Sequence, residues 1–393
     1  MNKDLLTTDV QSYIHANQHS NPAAIALQKS PFETVTAREL AAQIDGMQRV
    51  KKKIPAWLEH TGLYFPEKLN LEQASSSATG AFKSSLIAKD SRVIDLTGGF
   101  GVDSYYFAQH ARQVTHCEIN EDLSQIVAHN FKVLHVSHVD CIAGDGLELL
   151  RSQETSYDMI YIDPSRRVKQ QKVFCLEDCE PNILESQDLF FSRAPYILTK
   201  LAPLLDIQLA LRSLAQVKDV YVVSVDNDCK ELLFMQERNY LGSPQIHAVR
   251  LLPDGPHLFS FNYTEEQDTV ALYSAPKKYL YDPDVAVNKA GAFKSVGTRY
   301  GLGKLAAHTH LYTGDTDVTD FPGKQLKIID TYTLKSLKKA LPLKKANVIS
   351  KNFPLRVEEI RKKFKIDDGG NDYLYFCTLE RGEHVVIHGI RCA

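Results

Sequence analysis

The chain has 393 residues, 44% of them hydrophobic, and 46 Lys and Arg against 48 Asp and Glu give a formal net charge of -2. That length allows two or three domains with full cores, and the near balance of charge excludes a chain that is basic or acidic throughout. No apolar run reaches transmembrane length, the opening MNKDLLTTDVQSYIH lacks the apolar core of a signal peptide, and seven cysteines without regular spacing suit a reducing, cytoplasmic setting. Cys175 and Cys179 form a lone C-x-x-x-C, and His308 and His310 stand in an irregular polar stretch, so no metal site is expected and no membrane partner.

Residues 1–85 read as a helical region. Leu5 to His15, Ala23 to Lys29 and Ala37 to Val50 carry spaced apolar residues, and Thr36 with Glu39 makes a capping box ahead of the third segment, which Lys51, Lys52 and Lys53 close. In LEQASSSATGAFKSSLI, Gln73, the serines at 75–77 and Thr79 open another amphipathic helix, a polar cluster that is either an N-cap or a ligand contact.

Residues 86–266 follow an α/β beat. Arg92 to Leu96 is a short apolar run with the pattern of a buried parallel strand; Thr97, Gly98, Gly99, Phe100 and Gly101 form a glycine turn; Ser104 to His110 resumes helical spacing. From Gly99 the chain reads G-F-G-V-D-S: the third glycine of a dinucleotide fingerprint is missing, and Asp103 stands where a pyrophosphate would need bare amides, which argues against NAD. Later strands are predicted at Gln113 to Cys117, Val139 to Ala143, Tyr157 to Ile162, Tyr196 to Leu201, Asp219 to Val225, Ile246 to Leu252 and His257 to Tyr263, with a helix at Leu123 to Phe131, giving a Rossmann-like sheet of about seven strands. Acidic residues stand at three successive strand ends, Asp95, Glu118 and Asp145, and the fourth strand delivers DPSRR at 163–167. Glu118 suits hydrogen bonding to ribose hydroxyls. Arg166 and Arg167 lie where an anionic substrate must pass. Lys200 either faces the site or snorkels to solvent.

From Gln267 the chain reads as α+β, a module at 267–322 and another at 323–393. Asp367 to Asn371 reads as a hairpin turn. Between Lys324 and Lys365 stand eleven Lys and two Arg against three acidic residues, a phosphate-binding surface or a solvated face. On the helix around Val357 to Phe364 the basic side chains are Arg361, Lys362 and Lys363, with Lys365 following.

LEQASSSAT, DLTGGFGVD, YIDPSRR, KAGAF, HLYTGD and the NFPLRVEEIRKKFKIDDGG tail together resemble bacterial class I S-adenosylmethionine-dependent methyltransferases with a C-terminal THUMP-like domain, with a core similar to that of the RNA-cap guanine-N2 enzymes. The resemblance implies a helical N-terminal region, a methyltransferase core, a ferredoxin-like insert and an RNA-binding end. It implies that Asp95, Thr97, Gly98, Gly99, Phe100, Gly101, Asp103, Glu118, Ile119, Asp145 and Gly146 hold S-adenosylmethionine. Asp163, Pro164, Ser165 and Arg166 would meet the target amine, and Arg166, Arg167, Arg361, Lys362, Lys363 and Lys365 would meet RNA, a tRNA or rRNA.

An exocyclic base amine is a poor nucleophile, because its lone pair is delocalised into the ring. A carboxylate and a proline-flanked carbonyl that accept its two N–H bonds favour the pyramidal form and aim the lone pair at a methyl donor. Ser165 and Arg166 stand where such motifs usually carry proline and an aromatic ring. The expected activity is therefore methylation of a base amine in structured RNA, guanine N2 foremost. The alternatives are a non-catalytic RNA-binding or assembly protein on the same fold, or a methyltransferase acting on protein or a small molecule.

Overall fold

The structure, a computed structural model, describes residues 1–166, 176–340 and 343–392. It divides into two units, one of Met1–Lys218 and Leu232–Leu241, the other of Asp219–Glu231 and Gly242–Ala393. No described helix is long and apolar enough to cross a membrane.

In the first unit the N-terminal region is helical, as its spacing predicts: α1 (Thr8–Ala16), α2 (Pro22–Ala26), α3 (Ala37–Lys53), α4 (Lys68–Gln73) and α5 (Ser77–Ser85). The capping box forms: Thr36 Oγ1 accepts from the Glu39 N–H at 3.2 Å, and the Glu39 carboxylate accepts from the Thr36 N–H at 2.8 Å. Leu40, Ile44, Met47 and Val50 make one buried face of α3. They join a core that also holds Trp57, Phe65 and Leu71 and, from the following α/β part, Phe100, Val102, Val127 and Phe131. The helical region and the glycine turn thus share one core.

The α/β part runs β1 (Arg92–Asp95), α6 (Val102–Phe107), β2 (Gln113–Glu118), α7 (Glu121–Val133), β3 (Val139–Ala143), α8 (Gly146–Ser152), β4 (Met159–Ile162), the two-residue β5 (Ser165–Arg166) and β6 (Cys179–Glu180), α9 (Gln187–Arg193), β7 (Tyr196–Leu201) and α10 (Ile207–Ser213). β3, β2, β1, β4 and β7 pair in that order, all parallel. Parallel pairing across right-handed crossovers brings every strand's carboxyl end to one edge, and strand order reverses at β1. β1, β2 and β4 are buried along almost their whole length because a parallel sheet is covered on both faces, although in β2 two of the buried residues, Thr115 and His116, are polar.

β8 (Val217–Val225) and β9 (Asp228–Glu237) contribute residues to both units. Within the first, Leu232 to Glu237 of β9 pair antiparallel with β7. β9 is a strand the sequence reading leaves out, although Asp226 and Asn227, both at left-handed φ, precede its apolar run ELLFM.

In the second unit β8 pairs in parallel with β10 (Gln245–Leu252), which pairs antiparallel with β11 (Gly255–Asn262). A seven-stranded sheet follows, with β12 (Tyr279–Pro283), β13 (Gly303–Lys304), β14 (Tyr312–Gly314), β15 (Gly323–Thr333), β16 (Lys345–Lys351), β17 (Asp367–Thr378) and β18 (His384–Arg391) in the order β13-β14-β12-β15-β18-β17-β16. One sheet therefore runs through residues 279–391. α11 (Val357–Phe364) connects β16 to β17, which pair in parallel. Asp367 to Asn371 is consequently no hairpin turn: Gly369 and Gly370, at φ of 97° and 89°, sit in a bulge of β17 where the register with β16 shifts.

Candidate active site

The carboxyl edge of the first unit's sheet opens into a cavity of about 650 Å³. Asp95, Thr97, Gly98, Gly99, Phe100, Gly101, Asp103, Glu118, Ile119, Asp145, Gly146, Asp163 and Ser165 all line it, so residues up to 70 positions apart meet at one place. Asn70, Gln73 and Ser75 add a wall from the helical region. The Lys53 ammonium fixes that wall by donating to the carbonyls of Leu71, Glu72 and Ala74 at 2.9, 2.6 and 2.8 Å.

The three glycines of the turn serve different ends. A Cβ on Gly98 would stand 2.0 Å from His116 Cε1, and one on Gly101 would meet Val127 at 2.7 Å, so both are small because the core crowds them. Gly99, at φ of 55°, faces open space apart from a carbonyl at 3.9 Å, so it is the position where a ligand can approach the backbone. Phe100 is buried and turns its ring into the core, 5.2 Å from that of Trp57.

Asp95, at the end of β1, is 1% exposed and accepts from Ser104 Oγ at 2.7 Å and from the Thr97 N–H at 3.1 Å. Burial pushes its carboxyl up to about 7 against those two hydrogen bonds, with Asp103 adding repulsion. Ser104 Oγ also lies 3.1 Å from His116 Nδ1, and burial pushes that imidazole down to about 4. Asp103 has the opposite balance. Burial alone would raise it, but Lys83, Lys200 and hydrogen bonds from Tyr161 (2.8 Å) and Ser75 (3.0 Å) together hold it below the ordinary range. The Lys83 ammonium, 0% exposed, lies 3.2 Å from Asp103 Oδ1.

The Glu118 carboxylate accepts from the Gly99 N–H at 2.9 Å and the Asn120 N–H at 2.7 Å, which pins the acid to the turn while each oxygen keeps a further lone pair. Ile119, beside it, is 76% exposed although apolar and lines the cavity. Asp145 caps α8, accepting from the Leu147 N–H at 2.8 Å, and its second oxygen has no partner among the described residues. A Cβ on Gly146 would approach the Leu96 carbonyl oxygen to 2.8 Å, so this glycine lets α8 start against β1.

Asp163 follows β4, and its N–H donates to Thr97 Oγ1 at 2.7 Å, which ties the D-P segment to the glycine turn. Its Oδ2 is bonded by the Lys200 ammonium, while Oδ1 has no partner among the described residues. Ser165 pairs with Glu180 across the small β5–β6 ladder, and Arg166 with Cys179. Arg167 lies outside the described residues. In the second unit Lys362, Lys363 and Lys365 are exposed, whereas Arg361 is half-buried and paired with Asp368, whose carboxyl that guanidinium holds low. Arg361 thus has a structural partner. Sequence reading missed Lys83, Ser104, His116 and Tyr161 as site residues. Lys83 alone carried a signal, a lysine on the apolar-spaced face of a helix.

The residues present fit an adenosyl sulfonium cofactor. The cavity has the size of a nucleoside-derived ligand, Gly99 leaves room at the backbone, and Asp95, Glu118 and Asp145 line it together with Ile119. Among the described residues no group of His, Cys, Asp or Glu is arranged to hold a metal.

Comparison with known proteins agrees. Residues 279–322 match a ferredoxin-like domain model and 323–391 a THUMP domain-like model. A crystal structure from Porphyromonas gingivalis W83, provisionally described as a methyltransferase, is 32% identical and superposes with a TM-score of 0.91 over 100% of this chain and 99% of its own. An S-adenosylmethionine-dependent methyltransferase of Mycobacterium tuberculosis, itself uncharacterised, is 22% identical over 300 residues, 75% of this chain and 79% of its own length. An uncharacterised RNA methyltransferase of Mycoplasma mobile is 27% identical over 140 residues, 35% of this chain and 38% of its own. With the sheet order, the rim of carboxylates and a full-length relative in agreement, the chain belongs to the class I methyltransferases that carry a C-terminal THUMP-like domain.

Proposed function

We propose that the protein transfers a methyl group from S-adenosylmethionine to an exocyclic amine of a base in structured RNA, with guanine N2 the favoured atom. The observation that carries this reading is the position of Asp163, which lines the same cavity as Asp95, Gly99, Glu118 and Asp145 and whose Oδ1 has no partner among the described residues. When bound, the cofactor supplies an electrophilic methyl on a sulfonium. Glu118 would accept from ribose hydroxyls, Asp145 from the adenine amino group and Asp95 from the ammonium, with Ile119 against the ring. Asp163 Oδ1 and the carbonyl next to Pro164 would accept the amine's two N–H bonds, orienting its lone pair and stabilising the charge that develops on nitrogen.

RNA as substrate is supported by the THUMP domain-like match, by the RNA methyltransferase among the relatives and by the exposed Lys362, Lys363 and Lys365. The test is Asp163→Ala. The variant should lose on the order of 10²–10³ in kcat while its affinity for S-adenosylhomocysteine changes by less than about threefold, within about 0.7 kcal/mol. Full activity would remove Asp163 from the chemistry. Tight RNA binding without transfer by the wild-type chain would favour a binding protein on this fold, the reading that Ser165 and Arg166 in place of proline and an aromatic support.

A further inference from the structure

Asp163 does not stand alone. Lys200 lies on β7, the strand next to β4, where Ile162 pairs with Thr199, so the two side chains sit one position further out on adjacent parallel strands. The lysine is only 15% exposed, so its ammonium is held inside, while the carboxylate, at 35%, keeps partial access to water. The ammonium also acts on Asp103, which in turn is paired with Lys83. Charges therefore alternate along the series Lys83, Asp103, Lys200, Asp163, in which Asp103 and Asp163 line the cavity.

From this geometry we infer that Lys200 is a positioning residue for the transfer, and that by compensating the charge of Asp163 it restricts the site to a neutral, ring-conjugated amine rather than an alkylammonium. The inference rests on the proposed reaction and names what selects its substrate class. An alkylammonium must be attracted and deprotonated before it can react, which asks for an uncompensated carboxylate at the transfer position. Here the carboxylate is already engaged on one oxygen. It is held in one rotamer and presents the other oxygen as an acceptor, which is what a weakly nucleophilic, uncharged amine requires.

In the step itself the amine lone pair forms the N–C bond while the C–S bond pair returns to sulfur, leaving a neutral thioether. The nitrogen, now cationic, then sheds one proton to water, to which the partly exposed Asp163 gives access. An immobilised acceptor stabilises that cation without first reorganising.

The experiment is a double-mutant cycle on the full chain, with Lys200→Met, Lys200→Arg, Asp163→Asn and the double variant Asp163→Asn/Lys200→Met. Each is assayed for methyl transfer to RNA and to a lysine-rich peptide, with thermal unfolding measured alongside. Lys200→Met should lower kcat on RNA by about 100-fold with KM for the cofactor changed less than about threefold. Lys200→Arg should recover at least about a tenth of wild-type kcat. In the Asp163→Asn background the second substitution should add less than about threefold, because Lys200 acts through that carboxylate. If the wild-type chain methylates RNA and Lys200→Met does so undiminished, or if the two substitutions multiply, the inference falls and the amine-transfer reading survives. If the wild-type chain methylates the peptide in preference to RNA, the substrate-class inference is wrong. If it methylates neither, the reading of the site fails and takes this inference with it. Should Lys200→Met unfold, the rescue by arginine and the Asp163→Asn background still decide the question.

Discussion

Asp95 is the sharpest place to test the electrostatics. Its carboxyl is 1% exposed and raised from 3.8 to about 7, burial being the leading cause. The folded state therefore keeps its proton to higher pH than the unfolded chain does, so stability is lost as pH rises from 3.8 and the loss is complete above about 7. The gap corresponds to about 4 kcal/mol at pH 8 and about 1.5–2 kcal/mol at pH 5. Asparagine has nearly the same shape, and the Ser104 hydroxyl can rotate to accept from its amide and donate to His116 Nδ1. Asp95→Asn should therefore gain on the wild type by about 2–3 kcal/mol between pH 5 and pH 8.

The assay is urea unfolding followed by emission of Trp57. It is the one tryptophan in the chain, and it is buried in the first unit against Phe100, so it reports that unit alone. His116, whose folded value near 4 removes stability as pH falls below 6.5, is common to both proteins and largely cancels in the comparison. A stability difference that stays constant between pH 5 and pH 8 would refute the argument. The same substitution should weaken cofactor binding, since a residue kept at this expense in stability is kept for what it binds.

Glu118→Gln keeps the shape but turns one carboxylate oxygen into a donor facing an N–H of Gly99 or Asn120. Affinity for S-adenosylhomocysteine should fall about 10–100-fold by calorimetry, with kcat at saturation changed less than about threefold; unchanged affinity would remove Glu118 from the cofactor site. Replacing Lys362, Lys363 and Lys365 by Gln should reduce the slope of log K for RNA against log salt by about 2. An unchanged slope would make those lysines a solvated helix face, with Lys362 and Lys363 serving the C-terminal dipole of α11 instead.

The parts of the site that were legible in the sequence are those where chemistry and backbone coincide in one stretch. The rim acids Asp95, Glu118 and Asp145 could be read because each stands at or just past the end of a short strand segment, and strand ends in a parallel sheet share an edge. The glycines were legible as a turn, but not for their full reason. Gly98 answers to the His116 ring and Gly101 to Val127, partners that lie 18 and 26 positions on.

Lys200 was visible but ambiguous, since a lysine in an apolar strand reads the same whether it snorkels or pairs, and only the register of β4 with β7 decides. Tyr161, inside an apolar run, gave no sign that its hydroxyl meets Asp103 58 residues away. The glycine pair at 369–370 misled because a bulge and a turn use the same residues, and the parallel partner that distinguishes them, β16, is set by tertiary pairing.

The central claim is that this rim holds a methyl donor against an amine that Asp163 orients. Incubating the purified chain with methyl-labelled S-adenosylmethionine and RNA from cells lacking the protein, then digesting to nucleosides, tests it most directly. The account predicts label in a single base-methylated nucleoside, N2-methylguanosine, and none with Asp163→Ala. Label confined to ribose or absent from RNA, under conditions where the protein binds the cofactor, would contradict it.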